Sequence, residues 1–286
     1  MALSYFIPTV WSETLYRELD REYIAVKNCS RDFEGDIKNV GDTVKIVGVS
    51  PVSVFNYTKN TDMSAPEELT DSVRTLQIDV AKAFNFAIDD IDKAQATPRL
   101  MKEAMHVAAS ALANEADKYV YGLYTSVAAG QTMTVTGLTT SDVINALLEV
   151  KQKMLENDVA GNEEIILEVP PAVASKIVKA RILNGTDNTE ALDRGCIGVF
   201  MGFKVYVSNN IKSADVTSGG ETLKYYKCFA RTKRAITFAE QLNEIEAYRP
   251  ELRFADAVKG LHLYGAKIVY PKELLLLDVN VAASDS

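Results

Sequence analysis

Histidine is nearly absent from this 286-residue chain: there are two, His106 and His262. A histidine-based triad or a zinc centre needs partners that the sequence does not nominate, so both read as satisfied structural residues. Cysteine is scarce as well. Cys29, Cys196 and Cys228 are odd in number and far apart, which excludes a disulfide framework and a CxxC knuckle and fits a reducing compartment. Cys196 and Cys228 lie among apolar neighbours and read as small core residues. No GxxxxGK[ST] occurs, and the glycines at 195, 198 and 202 have the wrong spacing for a dinucleotide fingerprint. A basic excess is missing: 31 Lys and Arg face 39 Asp and Glu, a net charge of −8. That argues against a nucleic-acid reader, although a mildly acidic wall is compatible with enclosing nucleic acid without gluing it down. The longest apolar run near the end, "ELLLLDVNVAA", is far too short to span a bilayer. The start, "MALSYFIPTVWSE", has no basic region before Glu13, so neither a secretory signal nor a membrane partner is expected.

Potential chemistry is thin in what remains. Asp89, Asp90 and Asp92 form one acidic cluster, and Asp187, Glu190 and Asp193 another. Neither has the glycine and terminal glutamate of a calcium loop, and both read as solvated charge. The Asn-x-Ser/Thr triplets at Asn28, Asn56 and Asn184 carry no meaning without secretion. "RTKRA" (231–235) is the one dense basic patch; set between strands, it reads as a surface turn or a contact between subunits. No catalytic residue, cofactor or metal site is expected.

What is present is structural patterning. With 47% hydrophobic and 24% charged residues the chain is ordinary globular material. A helix is expected over 12–26, capped by Ser12, with Trp11, Leu15, Leu19, Tyr23 and Val26 at helical spacing. The segments 42–59 and 71–88 alternate apolar with polar residues and read as two strands of one long hairpin. A lone hairpin is marginal in water, so this one should lie on a partner. Thr97 and Pro98 open a long helix whose stripe runs from Met101 to Leu123. About 27 residues at 1.5 Å each make a beam of roughly 40 Å.

The Gly/Thr-rich stretch 128–142 reads as a break. Helix 142–157, strand 164–169 and helix 172–183 follow, the last stopped by Asn184-Gly185. "GCIGVFMGFKVYVSNN" (195–210) supplies strands, with Gly198 and Gly202 as turn or close-approach positions. Further strands are expected in "LKYYKCFAR", "AITFAE", "EIEAYRPEL", "DAVKGLHLYGAKIVYP" and "LLLLDV".

Taken in order, these pieces resemble the major capsid (coat) proteins of tailed bacteriophages, with the Hong Kong 97 (HK97) fold. "FIPTVWSETLYRELDREYIAVKNCSRDFEGDIKNVGDTVKI" is similar to the N-terminal arm and the strand entering the extended loop. "RLMKEAMHVAASALANEADKYVY" resembles the spine helix, "VINALLEVKQKMLENDV" and "VPPAVASKIVKARIL" the axial helices, and "IGVFMGFKVYVSNNI" an axial strand pair. "ITFAEQLNEIEAYRPELRFADAVKGLHLYGAKIVYPKEL" is similar to the return into the peripheral domain.

The resemblance implies an α+β, HK97-like architecture. Its parts would be an N-terminal arm (1–41), an extended β-hairpin loop (42–88), a peripheral domain (89–130 and 240–271) with a spine helix (98–124), and an axial α/β domain (131–239 and 272–282). It implies pentamers and hexamers enclosing double-stranded DNA without sequence-specific binding, and a virion location. A portal protein and a separate scaffolding protein would be partners, because a helix so close to Met1 leaves no room for a cleaved scaffold. The candidates for contacts between copies are Trp11, Phe55, Tyr57, Lys59, Asp62, Arg74, Arg231, Arg234 and Arg249. An encapsulin-like compartment shell is the alternative within the fold, and a small α/β enzyme the alternative outside it.

Overall fold

The computed structural model describes residues 15, 18, 19, 22–32, 43–49, 56, 59, 71–89, 99–159, 163–183, 196–218, 221–252 and 254–282. Of the helix expected over 12–26, Leu15, Glu18, Leu19 and Glu22 are helical. Its last helical residue is Glu22, four residues earlier than expected, and a 3-10 turn occupies Val26–Asn28. The cause is a competing acceptor: the amides of Ile24, Ala25 and Val26 are drawn to the Asp117 carboxylate, which replaces the carbonyls a continued helix would offer.

Strands β1 (Thr43–Val49) and β2 (Asp71–Gln77) pair antiparallel from Thr43↔Gln77 to Val49↔Asp71. The expected second arm, 71–88, is therefore two strands. Beyond Ile78 and Asp79 the chain becomes β3 (Val80–Asp89), which leaves β1 and pairs with β11 (Ala255–Ile268). β10 (Ile236–Tyr248) completes this sheet in the order β10-β11-β3. The crossing between β2 and β3 lies directly on β11: a Cβ at Gly265 would sit 2.2 Å from the Gln77 carbonyl oxygen. Only glycine admits that approach. "EIEAYRPEL" is not strand throughout, since β10 ends at Tyr248 and Pro250, without an N–H, falls in the turn that follows.

Helix α1 (Arg99–Gly122) is 24 residues long, roughly 36 Å at 1.5 Å per residue. Its inward stripe of Met105, Ala109, Leu112, Ala116 and Val120 packs with Leu15, Leu19, Phe229, Phe238 and Tyr264 into one core. Thr97 and Pro98, expected at its start, lie outside the described residues.

A second core fills one face of a seven-stranded sheet ordered β4 (Thr132–Leu138), β12 (Leu274–Val281), β9 (Glu221–Arg231), β5 (Ile165–Val169), β7 (Phe203–Val207) and β6 (Cys196–Phe200), with β8 (Ser213–Ser218) paired to β9. Helices α2 (Asp142–Glu156) and α3 (Pro171–Leu183) supply Val143, Leu147, Met154, Val173 and Ile177 to it. The expected break at 128–142 contains a strand, β4 (Thr132–Leu138), pairing parallel with β12 (Leu274–Val281). The four-leucine run becomes intelligible in β12. Leu275 and Leu277 face this core, while Leu274 and Leu276 face the core under α1, so the strand is greasy on both sides because both sides are buried.

β5 (Ile165–Val169) and β7 (Phe203–Val207) run parallel, and β6 (Cys196–Phe200) joins β7 through Met201-Gly202. These two residues have φ of 53° and 86°, the paired left-handed values of a tight two-residue hairpin. Gly198, with φ of 112°, sits where the β6–β7 register slips. Gly202 thus occupies the turn role expected of it, while Gly198 marks a bulge in β6.

Candidate functional site

Arg231 does not lie on the surface as the basic-patch reading required. Its relative exposure is 0%, and so is that of Glu168 on the neighbouring strand. Arg231 Nε donates to Glu168 Oε2 at 3.0 Å and Nη2 to Oε1 at 2.9 Å, a two-pronged pair across β9 and β5. Two further guanidinium bonds go to the arm: Nη2 donates to the Ala25 carbonyl at 3.0 Å, and Nη1 donates to the Asn28 carbonyl. Asn28 Nδ2 returns a bond to Glu168 Oε1 at 3.1 Å. Burial opposes the charge on Arg231, but the adjacent Glu168 more than offsets it and raises its pKa.

From α1, Asp117 closes the other side of the arm. Its Oδ1 accepts from Ala25 N at 3.0 Å and Val26 N at 3.1 Å, and its Oδ2 from Ile24 N at 3.0 Å. A third anchor lies on β10. Glu240 receives the Tyr23 hydroxyl and the Arg31 guanidinium, and sits 2.9 Å from His262 Nε2. Burial pushes the Glu240 carboxyl up, but its bond to His262 and the Arg31 charge outweigh this and hold it below the usual range. Ser30 then adds backbone bonds to Ile236 and Phe238, both 2.9 Å. Residues 23–30 are thereby a strap fastened to α1, to the seven-stranded sheet and to β10.

Glu168 and Asp117 are functional residues that the sequence reading passed over, although both leave a signal. Glu168 is a lone charge inside the buried strand "IILEV". Asp117 falls on the inward stripe of α1, one turn from both Ala113 and Tyr121. Nothing in the strap is set up for covalent chemistry. The Cys29 thiol is pushed up to about 11 by burial, and Cys228 is raised further by burial, so neither is a ready thiolate. His106 lies 3.3 Å from Glu18 and His262 belongs to the Glu240 anchor; the two fall in separate clusters. Among the described residues no group of three or more His, Cys, Asp or Glu could hold a metal.

The other contact candidates are scattered. Trp11, Phe55, Tyr57 and Asp62 lie outside the described residues. Lys59 is exposed in a turn. Arg74 on β2 is half-buried, its guanidinium donating to the Val269 carbonyl. Arg234 is half-exposed and pairs with Glu273 at 2.8 Å. Arg249 is exposed just beyond β10. Arg234 also lines an open cleft of about 500 Å³ with Arg31, Asp32, Glu163, Glu164 and Lys233.

Apolar surface is concentrated beside Arg249. Leu252 is 97% and Phe254 81% exposed in the turn between β10 and β11. Leu148 and Leu155 project from α2, Val107 from α1 and Val216 from β8. No described helix is long and apolar enough to cross a membrane.

A family model described as phage capsid protein matches residues 72–276. No curated protein sequence matches the chain. Among solved structures, the capsid of Ralstonia phage GP4 superposes with a TM-score of 0.69 at 9% identity, over 93% of this chain and 91% of that one. Mycobacterium phage Che8 gives a TM-score of 0.62 at 21% identity, over 89% and 90%. The SrpI encapsulin complex of Synechococcus elongatus gives 0.59 at 12% identity, over 87% and 86%.

Proposed function

The chain belongs to the phage capsid protein family, and from that premise we propose how this shell protein assembles. It is a tailed-phage major capsid protein with the HK97-like fold. In the proposed arrangement its copies form pentamers and hexamers that close an icosahedral head around double-stranded DNA. Its role is structural rather than catalytic. A separate scaffolding protein and a portal protein are the partners proposed for assembly in the host cytoplasm.

The observation that carries self-assembly is the outward-facing pair Leu252 and Phe254, 97% and 81% exposed. An apolar knob of this kind marks a surface that another chain covers. Weak contacts of this sort, at about 25 cal/mol per Å² of apolar area, become durable when each subunit makes several of them.

Within this reading residues 1–41 form the arm, 42–88 the extended loop, 89–130 and 240–271 the peripheral domain, and 131–239 with 272–282 the axial domain. The proposed contact residues are Trp11, Phe55, Tyr57, Lys59, Asp62, Arg74, Arg234 and Arg249. The fully buried Arg231 is withdrawn from that set.

Electron microscopy of the purified protein tests the proposal, with and without co-expressed phage head genes. Closed icosahedral particles are expected. A protein that stays monomeric under every co-expression would overturn it, and particles loaded with a cargo enzyme would favour the compartment reading.

A further inference from the structure

The strap's anchor contains an imbalance. Two carboxylates, Asp117 at 1% and Glu168 at 0% exposure, are buried with one guanidinium, Arg231. With both carboxylates ionised the cluster would hold a net negative charge away from water, which is costly. The geometry points to a proton-linked clasp, in which docking of residues 24–28 against α1 takes up one proton on Asp117 and the strap is held more firmly in mildly acid than in mildly alkaline solution.

The arm amides divide unevenly between the two Asp117 oxygens. Oδ1 takes two of the three and Oδ2 only one. A proton on Oδ2 therefore disturbs one hydrogen bond and leaves two. Arg231 is engaged by Glu168 in two-pronged fashion and donates two further bonds to arm carbonyls, so its charge is matched by Glu168 rather than by Asp117. Burial raises the Asp117 carboxyl, the three arm amides pull it down and Glu168 pushes it up, leaving it at about 7.

The groups facing the cluster can be named element by element. Glu168 comes from β5, Arg231 from β9, Tyr121 from α1 itself, and Tyr23 and Cys29 from the arm. Tyr23, Cys29 and Tyr121 are all raised, chiefly by burial, so they stay neutral around pH 7 and add no further negative charge.

The sign follows from linkage. With the strap released, Asp117 meets water and returns to an ordinary carboxylate value of about 3.9. The docked state binds the proton more tightly. Docking is strongest at low pH, weakens as the pH rises towards 7, and levels off above it. Between pH 5.5 and pH 8 the docking equilibrium falls about 30-fold for a group at about 7.

The test is amide hydrogen exchange on the full-length protein, read as protection factors at Ile24, Ala25 and Val26 after correction for the intrinsic exchange rate. Protection in the parent should fall about 30-fold from pH 5.5 to pH 8. Asp117→Asn, which mimics the protonated group, should flatten that dependence. Glu168→Gln removes the excess negative charge while leaving an acceptor for Arg231, and should move the transition to lower pH. Parent protection that is flat or rises with pH overturns the clasp. So does a transition that survives unchanged in Glu168→Gln, which keeps the test decisive if Asp117→Asn fails to fold.

Discussion

Arg231 and Glu168 face each other across β9 and β5 with both guanidinium–carboxylate bonds made, at 2.9 and 3.0 Å, and no solvent exposure on either side chain. Neither stabilises the fold independently of the other, because each would be an uncompensated buried charge alone. Arg231→Leu or Glu168→Leu alone should lower unfolding stability by about 3–5 kcal/mol, whereas the two together should cost less than the sum of the single changes. Urea unfolding of the two single variants and the double variant measures this.

Gly265 has no room for a methyl group. A Cβ there would meet the Gln77 oxygen at 2.2 Å, so Gly265→Ala must push the β2–β3 crossing off β11. A loss of about 1–3 kcal/mol is expected. Gly130→Ala is the control: its φ of +84° is strained for alanine, but nothing lies within 4 Å, and about 1 kcal/mol is expected. Thermal melts that rank the two the other way would refute the assigned contact.

Leu252 and Phe254 touch little of their own subunit. Replacing both with aspartate should leave the melting temperature of the dissociated subunit within about 2 °C of the parent, since surface changes usually stay within about 0.5 kcal/mol. Particle yield by electron microscopy should collapse. Normal shells from the double variant would exclude the knob from assembly.

The hairpin lends itself to a clean excision. Replacing residues 51–70 by a short Gly/Ser turn keeps the whole β1–β2 ladder, from Thr43↔Gln77 to Val49↔Asp71. The subunit should remain folded by circular dichroism and lose the ability to close shells. Intact shells would remove the hairpin from its proposed place in the assembly.

Glu240 sets an acid limit. Its carboxyl is held below the usual range, so the folded state gains stability above the ordinary glutamate value of about 4.3 and loses it as the pH falls through the lowered folded value. Melting temperatures between pH 3 and pH 6 should therefore drop more steeply for the parent than for Glu240→Gln. The variant itself should be less stable at pH 7, where the Arg31–Glu240 ion pair is lost.

Helical spacing and caps made α1, α2 and α3 legible, with ends within about two residues, because each buries one continuous stripe. β11 and β12 were equally plain from their long apolar content. β4 was not: "TMTVTGL" is short, rich in threonine and half exposed, and its ladder depends on Leu276 and Leu277 at the far end of the chain. The single run 71–88 concealed two strands, since the change of partner at Ile78-Asp79 is decided by the close approach to Gly265 rather than by alternation. Arg231 was misassigned for a related reason. A basic cluster looks solvated until the carboxylate that buries it, Glu168, is placed on the neighbouring strand.

The dependence of β4 on β12 also sets a schedule for biosynthesis. Leu276 pairs with Thr132, and roughly 140 residues of translation separate them, some 7–30 s at about 5–20 residues per second. Until then the central position between β4 and β9 is vacant, so the two parts of the sheet stay unjoined and the layer that Leu275 and Leu277 fill stays open to water.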